Sequence, residues 1–254
     1  MKKFNYALGA SQAALGLALL CAAAPAMAQD ANTAETAANE DAMDTIVVTA
    51  AVGDKTKLQS SVSVTSVSAQ QIADFTPRSE AEVFRLIPGI QAEDTAGPGG
   101  NANIAVRGLP VATGGAPFVQ LQEDGLPIVL TGDMAFANND YFTHFSPTDE
   151  RVEAIRGGSA STLASQAVGG VINYISKTGR SEGGFVELEK GISYDYTKIK
   201  ARLSGSINDS TYYNVGGYVG VGRGPRHASW NVSDSYSVKG NITKEFGDGG
   251  ENYV

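Results

Sequence analysis

Alternation of apolar and polar positions dominates the last third of the sequence. Four segments of about ten residues place apolar side chains on one face and polar or charged side chains on the other. The apolar positions are Val186, Leu188, Ile192, Tyr194, Ile199, Ala201, Leu203, Ile207, Tyr213, Val215, Val219, Val221, Tyr236, Val238, Ile242 and Phe246. Such segments are typical of transmembrane β-strands. A soluble β-sandwich alternates with the same period, so this pattern alone leaves both architectures open.

Residues 61–180 carry a different pattern that mixes helix and strand signals. Val62 and Val64 alternate with polar residues and predict a strand. Ser68 and Gln71 have the spacing of a capping box, which predicts that a short helix begins there.

A second helix is predicted to start at Thr76-Pro77 or at Ser79-x-x-Glu82 and to end at Pro88-Gly89. Short strands separated by glycine-rich loops follow near 104–107, 118–122 and 152–156. The region therefore indicates an α+β domain of about 120 residues, an ordinary size for one hydrophobic core.

One short apolar run stands alone in the polar N-terminal stretch. Residues 44–50 have strong strand propensity, whereas residues 29–43 predict a disordered tail and residues 51–60 a flexible linker. No apolar run on the N-terminal side lies close enough to pair with residues 44–50. A strand of this kind can add itself to the sheet edge of another protein, or it can simply join the sheet of its own folded unit.

The first 28 residues have the order of an export signal. Lys2 and Lys3 precede an apolar stretch at 7–24, and Ala26-Met27-Ala28 forms a small-x-small cleavage site. A transmembrane helix is the weaker alternative, because Gly and Gln interrupt the stretch. Cleavage would remove Cys21, the only cysteine, which excludes a disulfide scaffold and a thiol enzyme.

Charge and composition narrow the function classes further. Without residues 1–28, 17 basic residues remain against 27 acidic ones, and the net charge of −10 argues against a nucleic-acid partner. His144 and His227 are the only imidazoles, with no second histidine near either for a metal site. No nucleophile elbow or dinucleotide motif occurs. We expect no enzyme activity, no metal site and no cofactor.

The most specific pattern in the chain lies at residues 151–179. An Arg-Val-Glu strand and an Arg-Gly turn are followed, after eleven residues, by Gly-Gly-Val-Ile-Asn. This pattern resembles the plug-domain signature of TonB-dependent outer-membrane receptors. With an Arg-Gly strand end and an Asp-Gly turn upstream, the matching positions are Arg107, Gly108, Asp124, Gly125, Arg151, Val152, Glu153, Arg156, Gly157, Gly169, Gly170, Val171, Ile172 and Asn173.

Two further segments match the same family in the same order. Residues 84–90 resemble the end of the second plug helix, and the isolated strand resembles the TonB box. Through that box the inner-membrane energy-coupling protein TonB pulls on such receptors. The residues that the resemblance assigns to TonB binding are Asp44, Thr45, Ile46, Val47, Val48, Thr49 and Ala50.

The resemblance implies an α+β plug domain at 61–180, followed at 184–254 by the first antiparallel strands of a transmembrane β-barrel. The last four residues look like the start of a fifth strand. Four strands cannot close around a plug, since plugged outer-membrane barrels use about 22. We therefore expect the chain to be an incomplete receptor.

The same resemblance implies a cell-outer-membrane location and import of a small nutrient such as a metal chelate. Iron–siderophore is the family default, and cobalamin, haem or an oligosaccharide remain open. Two other classes compete with this interpretation: a soluble periplasmic binding module with a plug-like fold, and a passive porin.

The resemblance also suggests roles for particular side chains. Arg107, Arg151 and Arg156 either make surface ion pairs within the plug or face carboxylates of the barrel wall, for which Glu187 and Glu189 are candidates. Loop residues are either substrate contacts, because an aromatic face with a polar tip suits a ligand site, or ordinary loop anchors. These candidates are Asp133, Phe136, Tyr141, Phe142 and His144.

Overall fold

The computed structural model of the chain describes residues 63–94, 102–109, 118–128, 143–157, 160, 164–165, 167–226, 228–231, 234–246 and 252–253. The expected signal peptide, tail, TonB box and linker lie outside these ranges. So do four of the five candidate loop residues, Asp133, Phe136, Tyr141 and Phe142.

Two groups of elements follow one another along the chain. The first contains β1 (Val64–Ser68), α1 (Ala69–Phe75), α2 (Glu80–Arg85), β2 (Ile90–Asp94), β3 (Ala102–Val106), β4 (Val119–Glu123), β5 (Leu126–Pro127), β6 (Asp149–Arg156) and β7 (Gly170–Ser176). The second contains β8 (Gly183–Lys190), β9 (Asp195–Asn208), β10 (Thr211–Gly224), β11 (Ser235–Phe246) and β12 (Asn252–Tyr253).

The first group forms a mixed sheet in the order β1-β6-β7-β4-β5, with a separate β2–β3 hairpin. β4 and β7 run parallel, and the other neighbours are antiparallel. The helices and the hairpin cover the sheet and bury Phe84, Ile87, Leu121, Val152 and Tyr174. Each such side chain contributes about 1.5–3 kcal/mol when it leaves water, so this core holds the first group together.

Helix α1 begins as the sequence predicts. The Gln71 backbone N–H donates to Ser68 Oγ at 3.2 Å, and the Ser68 N–H donates to the Gln71 side chain at 2.9 Å. Both halves of the capping box are present, and they satisfy two of the N–H groups that a helix start leaves unpaired.

Helix α2 begins after Ser79, the second of the two predicted starts, but Ser79 and Glu82 do not form a capping box. The Ser79 side chain makes no capping hydrogen bond with any described residue. Glu82 instead accepts the Arg78 backbone N–H at 2.8 Å and pairs with the Arg78 guanidinium. This pair holds the pKa of the Glu82 carboxyl below its usual value against the opposing effect of burial.

The second group forms an antiparallel sheet in the order β12-β11-β10-β9-β8. Its four long strands are those expected from alternation, and β12 pairs with the end of β11 where a fifth strand was expected. A two-residue turn at 209–210 joins β9 to β10, whereas residues 225–234 connect β10 to β11.

The register of the antiparallel sheet sorts its side chains onto two faces. Leu188 lies opposite Ile199, which lies opposite Val219, which lies opposite Tyr236. Leu188 is 67% exposed and Tyr236 is 82% exposed, so the apolar face is turned away from the rest of the molecule. A large exposed apolar face marks a surface that meets another apolar medium or partner.

The sequence expectation missed three strands, of which β5 is only two residues long. β7 was not expected as a strand, although it lies at the centre of the mixed sheet, and β2 was also missed. Neither helix in the described ranges is long and apolar enough to cross a membrane.

Candidate functional site

The motif residues Arg156 and Gly157 lie where β6 ends, beside the start of β1. The Arg156 guanidinium donates to the Pro88 carbonyl, to Thr65 Oγ1 at 2.7 Å and to Ser63 Oγ at 3.2 Å. One side chain therefore joins the edge strand β1 to the loop after α2. Desolvation, followed by the nearby Arg107 charge, lowers the pKa of Arg156 from its ordinary value.

Gly157 is a glycine for a steric reason. Its φ of +94° is disfavoured for other residues, and a Cβ there would lie 2.7 Å from Arg107 Nη1. The Gly157 N–H donates to the Gly169 carbonyl at 2.9 Å, and a Cβ on Gly170 would lie 2.5 Å from the Ile155 carbonyl oxygen. The Arg-Gly positions at 156–157 and the Gly-Gly positions at 169–170 thus pack closely against each other between the end of β6 and the start of β7.

A second part of the motif closes the turn between β4 and β5. Asp124 and Gly125 have φ of +50° and +83°, as a tight hairpin turn requires. The Gly125 N–H donates to the buried Asn173 side chain at 3.0 Å, and the Ser176 N–H donates to Asp124 Oδ1 at 2.8 Å. The predicted Asp-Gly and Asn positions therefore fix this turn against β7.

Arg151 and Glu153 form an ion pair inside the mixed sheet. Arg151 Nε lies 2.8 Å from Glu153 Oε1, and the Glu153 side chain is fully buried. Glu187 and Glu189, offered from the sequence as wall partners for the motif arginines, pair instead with Lys200. Among the described contacts the two carboxylates therefore face a lysine of the neighbouring strand, and Glu187 lies directly opposite Lys200 across β8 and β9.

The two sheets meet through polar residues, and we call this set of residues the intersheet contact. The first group supplies Glu123, Thr143, His144, Thr148, Asp149 and Lys177, and the antiparallel sheet supplies Asn214, Tyr218, Lys239 and Asn241. Lys239 Nζ lies 2.9 Å from Glu123 and 3.7 Å from Asp149 Oδ1, and it donates to Thr143 Oγ1 at 3.2 Å. A cation of β11 is therefore held by two carboxylates of the mixed sheet.

Asp149 is the most perturbed acid of this contact. Its side chain is fully buried, and desolvation raises the pKa of the carboxyl to about 7. Lys239 and the Ser146 N–H, which donates to Asp149 Oδ2 at 2.7 Å, act in the opposite direction without cancelling burial. The carboxyl therefore changes its charge near neutral pH.

Two asparagines extend the intersheet contact along the strands. Asn214 Nδ2 donates to the Thr148 carbonyl at 3.1 Å and to the Lys177 carbonyl at 3.2 Å. Asn241 Nδ2 donates to the same Lys177 carbonyl at 2.8 Å. The sequence placed Lys239 and Asn241 on the polar face of their strand but gave no sign of what they contact.

His144 is the one candidate loop residue inside the described ranges. Its Nδ1 lies 3.1 Å from the Tyr218 hydroxyl, so it faces the antiparallel sheet. Among the residues described, no group of three or more His, Cys, Asp or Glu side chains is placed to hold a metal ion.

Comparison with known proteins accounts for this arrangement. A family described as the TonB-dependent Receptor Plug Domain matches residues 56–171. The vitamin B12 transporter BtuB of Vibrio vulnificus is 32% identical over 151 residues, which cover 58% of this chain and 23% of that protein. The chain carries the plug domain of TonB-dependent receptors at residues 56–171. Its mixed sheet, with the two helices and the hairpin, is the plug. Strands β8–β12 are strands of the barrel wall and are called the wall below.

Solved receptor structures show the same fold. The ferric yersiniabactin uptake receptor FyuA of Yersinia pestis is 25% identical, with a TM-score of 0.54 over 72% of this chain and 28% of that one. The alcaligin outer-membrane receptor FauA of Bordetella pertussis is 18% identical and shares the fold, with a TM-score of 0.58 over 78% of this chain and 32% of that one. The expected α+β plug followed by antiparallel barrel strands is confirmed.

The similarity covers only part of each relative. The chain spans less than a third of the length of the curated relatives it matches. The domain boundaries expected from the sequence stay predictions, and so do the roles assigned to individual motif residues.

Proposed function

We propose that this chain is the N-terminal part of an outer-membrane receptor that imports a small nutrient with energy delivered through TonB. The observation that carries the proposal is the two-faced wall: its apolar side chains point outward, and its polar side chains hold a plug. A passive pore needs no plug, and a soluble module needs no outward apolar face.

The dimensions of β11 suit a bilayer. Tyr236 and Phe246, both exposed aromatic residues, mark the two ends of its outward face. Ten steps along a strand cover about 33 Å, which becomes about 25 Å across the membrane at a tilt of about 40°, the height of the apolar band in outer-membrane barrels. We assign the two side chains to the two aromatic girdles.

The connections suggest how the wall is oriented. Outer-membrane barrels have short periplasmic turns and longer extracellular loops. The two-residue turn at 209–210 would then face the periplasm, and residues 225–234 would face the outside. We place the cleaved signal peptide at 1–28 and the TonB-binding strand at 44–50, upstream of the edge strand β1.

For the substrate we propose a metal chelate, with an iron–siderophore as the first choice. Two of the similar proteins are a vitamin B12 transporter and a ferric yersiniabactin uptake receptor. Both names describe a metal held by an organic ligand. A soluble periplasmic module is the alternative, and Leu188, Val238 and Ile242 argue against it because such a module would leave them in water.

The coupling role of residues 44–50 is tested with Val47→Pro in the full-length receptor. Proline removes one ladder N–H and fixes φ, so it breaks strand addition at the centre of the segment. We expect unchanged surface binding of labelled substrate and energy-dependent uptake at background level. Both quantities are measured side by side on the same cells.

Val47→Ala is the matched control, because it keeps every backbone donor and trims only the side chain. It should lose much less uptake than the proline variant. Normal uptake by Val47→Pro would show that residues 44–50 are not the coupling strand.

A further inference from the structure

A cavity of about 270 Å³ lies between the plug and the wall. Helix α1, the start of α2 and the segment around His144 form its plug side. Lys198, Tyr218 and Ser235 line it from three neighbouring wall strands. Its volume is near the lower end of the range for small-molecule pockets.

The acids that line this cavity are already engaged. Glu80 accepts the Tyr174 hydroxyl at 2.5 Å and the Phe145 N–H at 3.1 Å. Glu187 pairs with Lys200 at 3.3 Å, and Asp149 accepts the Ser146 N–H and faces Lys239. Among these carboxylates, Asp149 Oδ1 is the one oxygen that is buried without a hydrogen bond to a described residue, and it lies 3.7 Å from Lys239 Nζ.

The donors in the same cavity are not satisfied in this way. Lys198 Nζ lies 4.2 Å above the centre of the Tyr218 ring, which stabilises a cation but offers no hydrogen-bond acceptor oxygen in that direction. His144 Nε2 and Ser235 Oγ are buried without a hydrogen bond to a described residue, and Ser235 Oγ shares the space beside Gly220 with the Tyr196 hydroxyl. A buried polar group without a partner costs about 1–3 kcal/mol.

The tautomer of His144 follows from its one hydrogen bond. If the Tyr218 hydroxyl donates to Nδ1, both groups are satisfied and the ring proton sits on Nε2. The opposite assignment leaves the phenol proton without an acceptor. Nε2–H is therefore a buried donor of a residue that lines the cavity.

The strand register brings these donors together. Lys198 lies opposite Gly220, and Gly220 lies opposite Ser235, so a residue without a side chain separates them. Tyr218, one side-chain position further along the same face of β10, contacts both Lys198 and His144. The ammonium and the imidazole therefore contact the same phenol, and Ser235 lies on the next strand, opposite Gly220.

We propose that this cavity binds a small anion, of carboxylate or halide size, between Lys198, His144 and Ser235. One positive charge and two neutral donors complement a single negative charge that has several acceptor lone pairs. The site belongs to the contact between plug and wall, and it is independent of residues 44–50 and of TonB.

Crystals of the full-length receptor soaked in sodium bromide test the site. Data collected at the bromine absorption edge should show an anomalous peak within hydrogen-bond distance of Lys198 Nζ and His144 Nε2. Excess acetate in a second soak should displace the bromide if the site also accepts a carboxylate, whereas a peak that persists would restrict it to halide. Absence of a peak in the unmodified receptor would overturn the proposal.

Lys198→Met removes the charge at similar length and should lower bromide occupancy about tenfold or more, equivalent to about 1.4 kcal/mol. Lys190→Met, an exposed lysine at the end of β8, is the control and should keep the peak. A heat-modifiable gel shift shows whether each variant folds. A full peak in Lys198→Met would refute the site, and if that variant fails to fold, the soak of the unmodified receptor decides.

Discussion

The plug and the wall bury their apolar side chains in opposite directions. In the plug, Phe84 and Tyr174 are completely buried among the strands and helices of their own sheet. In the wall, Leu188 and Tyr236 point away from the protein, and the side facing the plug is polar. The plug therefore carries its own core, whereas the wall depends on a medium outside it. The polar surface between the two permits them to separate without exposing a hydrophobic core.

The largest effect is expected in the plug core. Phe84→Ala should destabilise the plug by about 3–5 kcal/mol, because it leaves a cavity in a core that is otherwise closely packed. Hydrogen exchange of plug amides in the full-length receptor measures this loss, and wall amides should be unaffected. Leu188→Ala is the counterpart on the outward face. Equal loss of plug protection in both variants would contradict the separation of the two regions.

A charge on the outward face should have the next largest effect. Val238→Arg is expected to destabilise the folded receptor by about 2–4 kcal/mol, the range measured for a cation at the middle of a bilayer. The fraction that migrates as the folded species on an unheated gel reports the change. Ser237→Arg places the same charge one residue away on the inner face. If that control were the more damaging variant, the assignment of the two faces would be reversed.

Removing the cation of the intersheet contact should loosen the plug more mildly. Lys239→Met leaves Asp149 and Glu123 facing each other and removes charged hydrogen bonds worth about 1.5–3 kcal/mol each. We expect faster proteolysis of the plug in outer-membrane vesicles, with no change in the gel shift of the wall. Lys190→Met serves as the control. An unchanged rate of plug proteolysis in Lys239→Met would show that this cation does not hold the plug.

The smallest effect is a pH dependence centred on Asp149. Its folded-state pKa of about 7 lies above the unfolded value, so the folded plug binds this proton more tightly than the unfolded chain does. Stability linked to the group is present at low pH and is lost as pH rises through 7. The midpoint of thermal unfolding should therefore fall between pH 5 and about 8, and Asp149→Asn should flatten that dependence. An equal slope in the asparagine variant would assign the titration to another group.

Local sequence signals predicted the elements whose chemistry is local. The capping box of Ser68 and Gln71 and the alternation along β9 and β11 depend only on neighbours in the chain, and both are confirmed. β7 was missed because its glycine-rich start reads as a loop. It becomes a strand only between β6 and β4, with a parallel partner far away in sequence.

The intersheet contact was beyond prediction for a related reason. Lys239 lies at least 90 positions along the chain from Glu123 and Asp149, and nothing in the local sequence encodes which carboxylate a lysine will face. The family signature identified Arg151 and Arg156 as notable, and the contacts described for them are with Glu153 and Thr65 of the plug. Spacing identified the motif residues, and only the packed structure supplied their contacts.

The polarity of the intersheet contact limits which plugs and walls can be exchanged between receptors. Here the wall supplies the cation and the plug supplies the acids, with Asp149 completely buried. A chimaera that combined this plug with a foreign wall would need a basic side chain at the position of Lys239. A wall carrying an acid there would bring a third carboxylate beside Glu123 and Asp149. Repulsion between these charges in a desolvated space would prevent the plug from docking against the wall. Compatibility of the two parts is therefore an electrostatic matching problem as much as one of shape.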